Sequence, residues 1–290
     1  MKICVILLMV SLFSTAFSDE TSDLYLLPKP SSILQYPSEH KKVDGEEVNL
    51  YCTSWRFTAE TNNLAPWSTI PAECADYVKE YVMSRGYVTD LERVSEEASI
   101  FANSVEFSGD GKDIWVFDID ETLLSNLPYY IDHGFGYTFP QSPFSFSILF
   151  YGTIRFEFGI FVERGVAPAI SPSLKLYQRV FDLGYKIFLL TGRKEIHRLV
   201  TVENLINAGQ CFVLQRVLIY GILQGKLSSS SVSPDVQHKM ATLYKSEKRN
   251  AMVKDGYRIR GNSGDQWSDL LGSSMSERSF KLPNPMYYIP

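Results

Sequence analysis

The sequence predicts an α/β fold in which a Rossmann-like, doubly wound parallel sheet lies at the centre. Three runs favour this fold class: Ile114–Phe117, Lys186–Thr191 and Tyr257–Asn262. All three are too short for a helix, and the first is wholly β-branched and aromatic, which is typical of a buried strand. Helical segments lie between the runs, and alternation of strands and helices favours a parallel sheet covered by helices.

The chain begins with a segment typical of a secretory signal peptide. Residues 1–18 place Lys2 before an apolar stretch, and the small residues Ala16 and Ser18 form a cleavage site. Residues 19–50 are polar and contain several prolines, so we expect a loosely ordered extension there. The folded domain is expected over residues 51–290.

Residues 52–105 predict an N-terminal helical extension that covers the sheet. One helix is expected to begin near Pro71, which suits a helix start because it has no amide to donate, and to end at Gly86. A second helix is expected over Asp90–Val105, where apolar residues are spaced by three and four.

The cysteines indicate an oxidising compartment. Once Cys4 leaves with the signal peptide, three cysteines remain. Cys52 and Cys74 are the natural disulfide pair, closing a loop near the N-terminus, and Cys211 is the odd thiol.

Three more helices are expected between and after the strands. Ser171–Leu183 has Ser171 as its predicted N-cap. Glu195–Asn207 and Thr242–Lys254 each end shortly before a glycine. The tail from Phe280 to Pro290 is apolar, so we expect it to pack against the body as a strand or extended arm.

Composition argues against two classes of partner. The formal charge of the 290-residue chain is -5, whereas a nucleic-acid binder normally carries a basic stripe. After the signal peptide no stretch is long and apolar enough to span a bilayer, so the mature protein is expected to be soluble and not bound to membranes. The oligomeric state is left open, with a homodimer as one option.

Polar residues follow all three predicted strands where each strand ends. They are Asp118 and Asp120, then Thr191, Gly192 and Arg193, then Asp265 and Asp269. In an open α/β sheet, ligands bind in the crevice at the carboxyl ends of the strands. Clustered acids repel each other, and Mg²⁺ removes the conflict while keeping positions for water and phosphate. The sequence therefore predicts Mg²⁺ held by Asp118, the backbone carbonyl of Asp120 and Asp265.

This residue set fits transfer of a phosphoryl group to a carboxylate. Asp118 would attack phosphorus and form an aspartyl-phosphate. Asp120 would protonate the leaving alkoxide and then take a proton from water. Thr191 and the Gly192 amide can hold phosphate oxygens, and a lysine should supply the remaining positive charge. Arg193 would be a supporting cation beside the crevice.

Most of the mature chain resembles the haloacid dehalogenase-like (HAD) phosphohydrolases, and more closely the plant acid phosphatases and vegetative storage proteins. The segments that carry the resemblance are Asp118–Thr122, Leu190–Arg193, Tyr244–Arg249, Gly261–Asp269, Cys52–Phe57, Glu73–Tyr77 and the Leu-Pro-Asn-Pro tail. The resemblance implies subfamily IIIB, the class B-type acid phosphatases, with a Rossmann-like sheet and members that are secreted or vacuolar.

The resemblance also implies a role for each matching residue. These are Asp118 as nucleophile, Asp120 as general acid/base, Thr191 as phosphate-binding hydroxyl, Lys245 as phosphate-binding lysine, Asp265 as metal ligand and Asp269 as its support. Lys248 stays open as an alternative to Lys245, because both lie on one basic segment. For Asp269 a helix-start role is equally compatible.

Two stretches depart from the family pattern. Residues 137–160, where a small cap insertion is expected, are aromatic-rich and contain only two charged residues. Residues 211–240 replace the family's short strand and loop and include four consecutive serines. Our hypothesis is that one or both stretches come from translated intron sequence or a misplaced exon boundary. Every catalytic residue lies outside them.

The sequence thus predicts a Mg²⁺-dependent acid phosphatase that acts on small phosphomonoesters. The alternative is a vegetative storage protein with little or no activity. The intact Asp118 favours the enzyme, because storage relatives can lose this residue. The expected location is the secretory pathway, ending outside the cell, in the cell wall or in the vacuole.

Overall fold

Five parallel strands form the central sheet, in the order β3-β2-β1-β4-β5. They are β1 Asp113–Phe117, β2 Lys186–Lys194, β3 Val217–Leu223, β4 Arg258–Gly264 and β5 Arg278–Lys281. The chain starts at the central strand, adds two strands on one side, and then adds two on the other. This is a doubly wound sheet, so the predicted fold class is confirmed.

The computed structural model describes residues 45–67, 69–133, 157–210, 217–223 and 234–289. Several predictions lie outside these residues: the signal peptide 1–18, most of the extension 19–50, the thiol of Cys211 and most of the aromatic stretch 137–160.

Helices cover both faces of the sheet. The described residues include the helices α1 Gly45–Glu60, α2 Ala75–Met83, α3 Arg85–Ser104, α4 Leu127–Asp132, α5 Ser171–Asp182, α6 Arg198–Leu205, α7 Pro234–Lys254 and α8 Trp267–Leu270. Helices α3 and α5 lie on one face and α7 on the other, whereas α1 and α2 pack against the first part of α3. Trp115 and Phe117 of β1 share a hydrophobic cluster with residues of α3 and α5. Ile114 and Val116 face the other way and share a cluster with Met252 of α7. Within the described ranges, no helix combines the length and apolarity needed to cross a membrane.

A glycine in β4 lets the central strand pack across its neighbour. Trp115 of β1 stacks on Phe280 of β5, with ring centroids 5.5 Å apart. Gly261 of β4 lies between them, and a Cβ added there would overlap the Trp115 ring. The indole Nε1 also donates to Ser263 Oγ at 3.0 Å. These contacts fix β1 against β4, the two strands whose carboxyl ends carry the predicted acids.

The N-terminal helical extension is confirmed, with shifted boundaries. Helix α1 begins at Gly45, so residues 45–50, predicted as part of a loose extension, are helical. Helix α3 begins at Arg85 rather than Asp90, because the Ser84 hydroxyl caps it by accepting a hydrogen bond from the Gly86 amide at 3.1 Å. Cys52 and Cys74 form the predicted disulfide.

Two later boundaries also differ from the prediction. The stretch 211–240 contains strand β3, which pairs with β2, and the start of α7, so part of this atypical segment belongs to the sheet and its covering helix. Helix α5 has Ile170 as its N-cap, and Ser171 is its first residue. The predicted cap at Ser171 was therefore wrong by one position.

Candidate active site

The carboxyl ends of β1 and β4 bring three carboxylates together. Asp118 follows β1, Asp265 follows β4, and Asp269 lies on α8 just beyond. One oxygen from each lies within 4.8 Å of the others, and all three side chains are buried. A Cβ on Gly264 would lie 2.5 Å from atoms of Asp269, so the glycine permits this close approach.

Helix α8 places Asp269 by means of a capping box. The Asp269 carboxylate accepts a hydrogen bond from the Gln266 amide at 2.9 Å. The Asp269 carbonyl accepts from Asn262 Nδ2 at 2.8 Å and from Arg249 Nη1 at 2.6 Å. Asp269 therefore serves the helix start and also joins the carboxylate cluster, which unites the two roles that the sequence left open.

Lys245 is the cation of this cluster. Its Nζ donates to Asp118 Oδ1 at 2.7 Å and also to Asp269. Burial acts to lower the pKa of Lys245, but the two carboxylates outweigh it and raise the pKa above its usual range. Lys248, the alternative, instead places its Nζ over the Tyr244 ring, 5.4 Å from the centroid.

The cluster holds more negative charge than Lys245 balances. Burial raises the pKa of Asp118 well above its usual range; Lys245 acts to lower this pKa, and the charges of the neighbouring aspartates act to raise it further. Burial and the charge of Asp269 raise the pKa of Asp265 to about 6. Strongly perturbed carboxyls of this kind are concentrated at functional sites.

Asp120 lies two residues after Asp118 and pairs with Arg193. The guanidinium donates to both carboxylate oxygens, from Nε at 3.1 and 3.2 Å and from Nη2 at 2.8 Å. Burial opposes ionisation of Asp120, but Arg193 and a hydrogen bond from Asn126 together lower its pKa. Arg193 is itself buried and donates to Thr201 Oγ1 at 3.1 Å, so this predicted supporting cation is not a surface residue.

Thr191 and Gly192 lie where β2 reaches the same edge of the sheet. Thr191 is fully buried, and its Oγ1 accepts from the Arg193 amide at 3.1 Å. Gly192 is exposed beside it. Their contact with phosphate stays a prediction.

The structure adds the Asp269 carboxylate to the groups that could hold the metal ion. The side chains that cluster are those of Asp118, Asp265 and Asp269, whereas the Asp120 side chain points to Arg193. Asp120 was expected to contribute only its backbone carbonyl, and that expectation remains compatible. Buried carboxylate oxygens with excess negative charge form a donor set that suits a hard divalent cation. The residues present therefore fit such an ion.

Several residues around the cluster were missed by the sequence reasoning. Asn284 Nδ2 and Gln266 Nε2 both donate to Asp265 Oδ2, at 2.7 and 2.8 Å. Thr122 Oγ1 donates to Asp265 Oδ1 at 3.3 Å. The sequence analysis gave Gln266 no role of its own, and the Leu-Pro-Asn-Pro tail that contains Asn284 was noted only for its family resemblance.

Glu121 was also passed over, although it follows Asp120 directly. It is fully buried and has a positive φ of 49°, a backbone conformation that residues other than glycine rarely adopt. Burial, followed by the charges of Asp265 and Asp120, raises its pKa to about 8. A buried acid next to the site was visible in the sequence as the third acid of the Asp118–Thr122 segment.

A doubly wound sheet whose central strand ends in two aspartates, with a lysine and further acids from later elements facing them, defines a phosphohydrolase of the HAD type. The sequence model of the HAD superfamily, subfamily IIIB (acid phosphatase), matches residues 38–290. The chain belongs to this family, as its resemblance predicted.

Individual relatives agree. Acid phosphatase 1 of Solanum lycopersicum is 53% identical over 278 residues, 96% of each chain. Vegetative storage protein 2 of Arabidopsis thaliana is 35% identical over 240 residues, 82% of this chain and 80% of the relative. The class C acid phosphatase from Bacillus anthracis superposes with a TM-score of 0.51 at 18% identity, covering 82% of this chain and 86% of that one, which supports the fold. The chain is thus an acid phosphatase, a phosphoric monoester hydrolase.

Proposed function

We propose that the protein is a Mg²⁺-dependent acid phosphatase that hydrolyses small phosphate monoesters through an aspartyl-phosphate on Asp118. The observation that carries this proposal is the place of Asp118. It is buried at the end of the central strand, in a carboxylate cluster, with Lys245 Nζ 2.7 Å from its Oδ1. A nucleophilic carboxylate needs this kind of fixed position beside a cation that can also bind the phosphate.

The reaction proceeds in two steps. In the first, Asp118 attacks phosphorus, the bond from phosphorus to the leaving oxygen breaks, and Asp120 gives that oxygen a proton. In the second, Asp120 takes a proton from water, whose oxygen attacks the phosphorus bound to Asp118. The bond between phosphorus and the Asp118 oxygen breaks, phosphate leaves, and the free Asp118 carboxylate and the protonated Asp120 are restored.

Asp120 must gain its proton with substrate bound, because Arg193 favours its ionised form in the free protein. A phosphate dianion beside Asp120 raises its proton affinity, since a nearby like charge disfavours ionisation. Arg193 meanwhile keeps the carboxyl oriented through its contacts with both oxygens. This arrangement couples proton uptake to substrate binding.

Other groups hold the phosphate and the ion. Lys245, Thr191 and the Gly192 amide would bind phosphate oxygens. Asp118, Asp265 and the Asp120 backbone carbonyl would hold Mg²⁺, with Asp269 next to them. When bound, the ion neutralises charge between the nucleophile and the phosphate.

Trapping the intermediate tests the proposal. After a short incubation with p-nitrophenyl phosphate and an acid quench, mass spectrometry should find one phosphate on the peptide that contains Asp118. Hydroxylamine should remove it, because acyl phosphates react with this nucleophile, and Asp118→Asn should not acquire it. Phosphate on another residue, with Asp118→Asn still labelled, would contradict the mechanism.

The similarity to vegetative storage proteins supports a second candidate, a reserve protein with little activity. The two roles are compatible, and turnover measured on the purified protein decides how much activity there is. We place the protein in the secretory pathway, ending in the vacuole or outside the cell. The Cys52–Cys74 disulfide supports this location, since such bonds persist in oxidising compartments.

A further inference from the structure

The tail that follows β5 returns to the active site and places Tyr287 beside Glu121. Tyr287, in this tail, donates its hydroxyl hydrogen to Glu121 Oε2 at 2.7 Å. The two residues are separated by 166 positions in the chain. This hydrogen bond therefore joins the C-terminal tail to a buried acid that lies next to Asp120 in the middle of the chain.

Asn126 connects Glu121 to Asp120 by hydrogen bonds to both. Glu121 Oε2 also accepts from the side-chain Nδ2 of Asn126 at 3.0 Å, and Oε1 accepts from the backbone amide of Asn126 at 2.5 Å. The same Nδ2 donates its other hydrogen to Asp120 Oδ1 at 2.8 Å. Both hydrogens of the Asn126 side-chain amide are thus donated to carboxyl oxygens, which fixes its orientation because turning the amide over would point its own oxygen at those acceptors.

Asp120 is consequently held from two sides. Arg193 contacts both carboxylate oxygens from one side, and Asn126 contacts Oδ1 from the other. The Asn126 Oδ1 atom is buried and has no hydrogen-bond partner among the described residues. The hydrogen bonds of Nδ2 to the carboxyl groups of Glu121 and Asp120 therefore orient this side chain.

The tail itself is well anchored, so the Tyr287 hydroxyl has a defined position. Glu60 accepts from the Asn284 amide at 2.8 Å, and Gln266 Oε1 accepts from the Ile289 amide at 2.8 Å. The Tyr287 ring also stacks on Tyr130, with centroids 5.4 Å apart. Substituting phenylalanine at 287 would keep the ring contact and remove only the hydroxyl.

We propose that Tyr287 is a positioning residue for the acid/base Asp120, acting through Glu121 and Asn126. This inference rests on the general acid role proposed for Asp120. Proton transfer to the leaving oxygen needs a carboxyl at hydrogen-bond distance, and small displacements of a reacting group are costly. The C-terminal tail is in this sense part of the active site.

Leaving groups of different basicity separate this role from a merely structural one. The p-nitrophenolate ion leaves without needing a proton, whereas the alkoxide of glycerol 2-phosphate depends on general acid catalysis. A displaced Asp120 therefore lowers kcat/KM for glycerol 2-phosphate more than for p-nitrophenyl phosphate. The parameter kcat/KM reports the step in which the leaving group departs, which makes it the right readout.

The experiment compares Tyr287→Phe with Asp120→Asn and with Tyr288→Phe. Asp120→Asn should lower kcat/KM for glycerol 2-phosphate by about 10²-fold or more, and much less for p-nitrophenyl phosphate. Tyr287→Phe should lower the glycerol 2-phosphate value by about tenfold and the other by less than about twofold. Tyr288→Phe is the matched control. It removes the next hydroxyl of the tail, which donates to Asn62 Oδ1 at 3.0 Å. It should leave unchanged the substrate ratio, defined as kcat/KM for p-nitrophenyl phosphate divided by kcat/KM for glycerol 2-phosphate.

A double variant makes the test strict. In the Asp120→Asn background, Tyr287→Phe should cause no further change in the ratio, because its effect passes through Asp120. If Tyr287→Phe is unstable, Glu121→Gln tests the same connection one residue closer. If the substrate ratio is unchanged in folded Tyr287→Phe but raised in Asp120→Asn, the positioning role of Tyr287 is refuted and the acid role of Asp120 is kept. An unchanged ratio in Asp120→Asn overturns the acid role itself and the inference with it.

Discussion

The two ends of strands β1 and β4 both carry buried acids beside cations, but they balance charge in opposite ways. At the carboxyl ends, Asp118 and Asp269 both pair with Lys245, and Asp265, which lies beside them, has no ion pair within the described part of the chain. Burial leaves the pKa of Asp118 well above its usual range and that of Asp265 at about 6. Negative charge is in excess at this end.

At the amino ends the balance is reversed. Asp113 begins β1 and accepts from Arg258 Nε at 2.9 Å, Arg260 Nε at 2.7 Å and the Ser108 amide at 2.9 Å. Burial works against ionisation, but these three donors outweigh it and lower the pKa of Asp113 to about 2. Asp110 and Glu277 pair with the same two arginines, so the cluster is satisfied without any ligand.

The difference separates a structural charge cluster from a functional one. A carboxylate with its cations in place stabilises the fold and leaves little for a ligand to gain. Carboxylates held together with too few cations cost stability, and they persist where a bound ion or substrate supplies the missing positive charge or proton. The predictions below test this contrast, from the largest expected effect to the smallest.

The largest effect is expected from Asp118→Asn. The amide is nearly the same size but cannot attack phosphorus, so turnover of p-nitrophenyl phosphate should fall by about 10⁴-fold or more. The melting temperature in chelator should stay at or above that of the wild type, because the substitution removes one of the repelling acids. Activity assays and thermal denaturation check both statements.

The matched control is Asp113→Asn at the other end of the same strand. It removes a buried carboxylate in the same way but should keep kcat and KM close to the wild-type values. Substantial turnover by folded Asp118→Asn would refute the aspartyl-phosphate mechanism. Equal loss of activity in both variants would show that the two ends do not differ as described.

The second prediction concerns the ion. Chelation should abolish activity and added Mg²⁺ should restore it. The ion should also raise the melting temperature in the absence of substrate, since a ligand at about 100 times its dissociation constant stabilises a fold by about 2.7 kcal/mol. Asp265→Asn should show a smaller thermal shift with Mg²⁺, whereas Asp113→Asn should shift like the wild type. Full activity after exhaustive chelation would remove the metal from the proposal.

How much of this could be predicted from sequence depends on the range of the contacts involved. Strands β1, β2 and β4 and the polar residues at their ends were predicted, because short apolar runs ending in polar residues are local patterns. The parallel arrangement then places their carboxyl ends at one edge of the sheet. The family resemblance supplied Lys245, which is at the site although it lies on a helix.

The parts that were missed depend on distant contacts. The pairing of Asn284 with Asp265 and of Tyr287 with Glu121 joins the tail to the site, and no periodicity in the tail indicates it. The balance of charge at Asp113 needs arginines that lie 145 and 147 positions away. Strand β3 was missed although Val217–Leu223 is a continuous apolar run, because the stretch 211–240 departs from the family pattern and was attributed to a misplaced exon boundary. Its place in the sheet is set by pairing with β2.

The third prediction sharpens the contrast through stability. Asp113→Asn should reduce the free energy of unfolding by about 2 kcal/mol, because it leaves Arg258 and Arg260 without their shared buried partner. The cost stays below that of a fully buried pair since both arginines keep an acid partner, Asp110 or Glu277. Urea denaturation near neutral pH measures it. Asp110→Asn, an exposed acid of the same cluster, is the control and should change stability little.

The smallest effect is expected from pH at the same cluster. The pKa of Asp113 lies at about 2 in the folded protein and nearer its usual value in the unfolded chain. A lowered folded pKa means that the stabilisation is present above the unfolded value and is lost as pH falls toward the folded one. The stability difference between wild type and Asp113→Asn should therefore shrink between about pH 5 and about pH 2. Allowing for solvent screening at the partly exposed arginines, the change should be about 1 kcal/mol. Urea titrations of both proteins at several pH values, in chelator, isolate this term because other acids titrate equally in the two chains. A difference that is constant or grows on acidification would mean that Asp113 is not held ionised by its arginines, and the two ends of the sheet would then differ less than their contacts indicate.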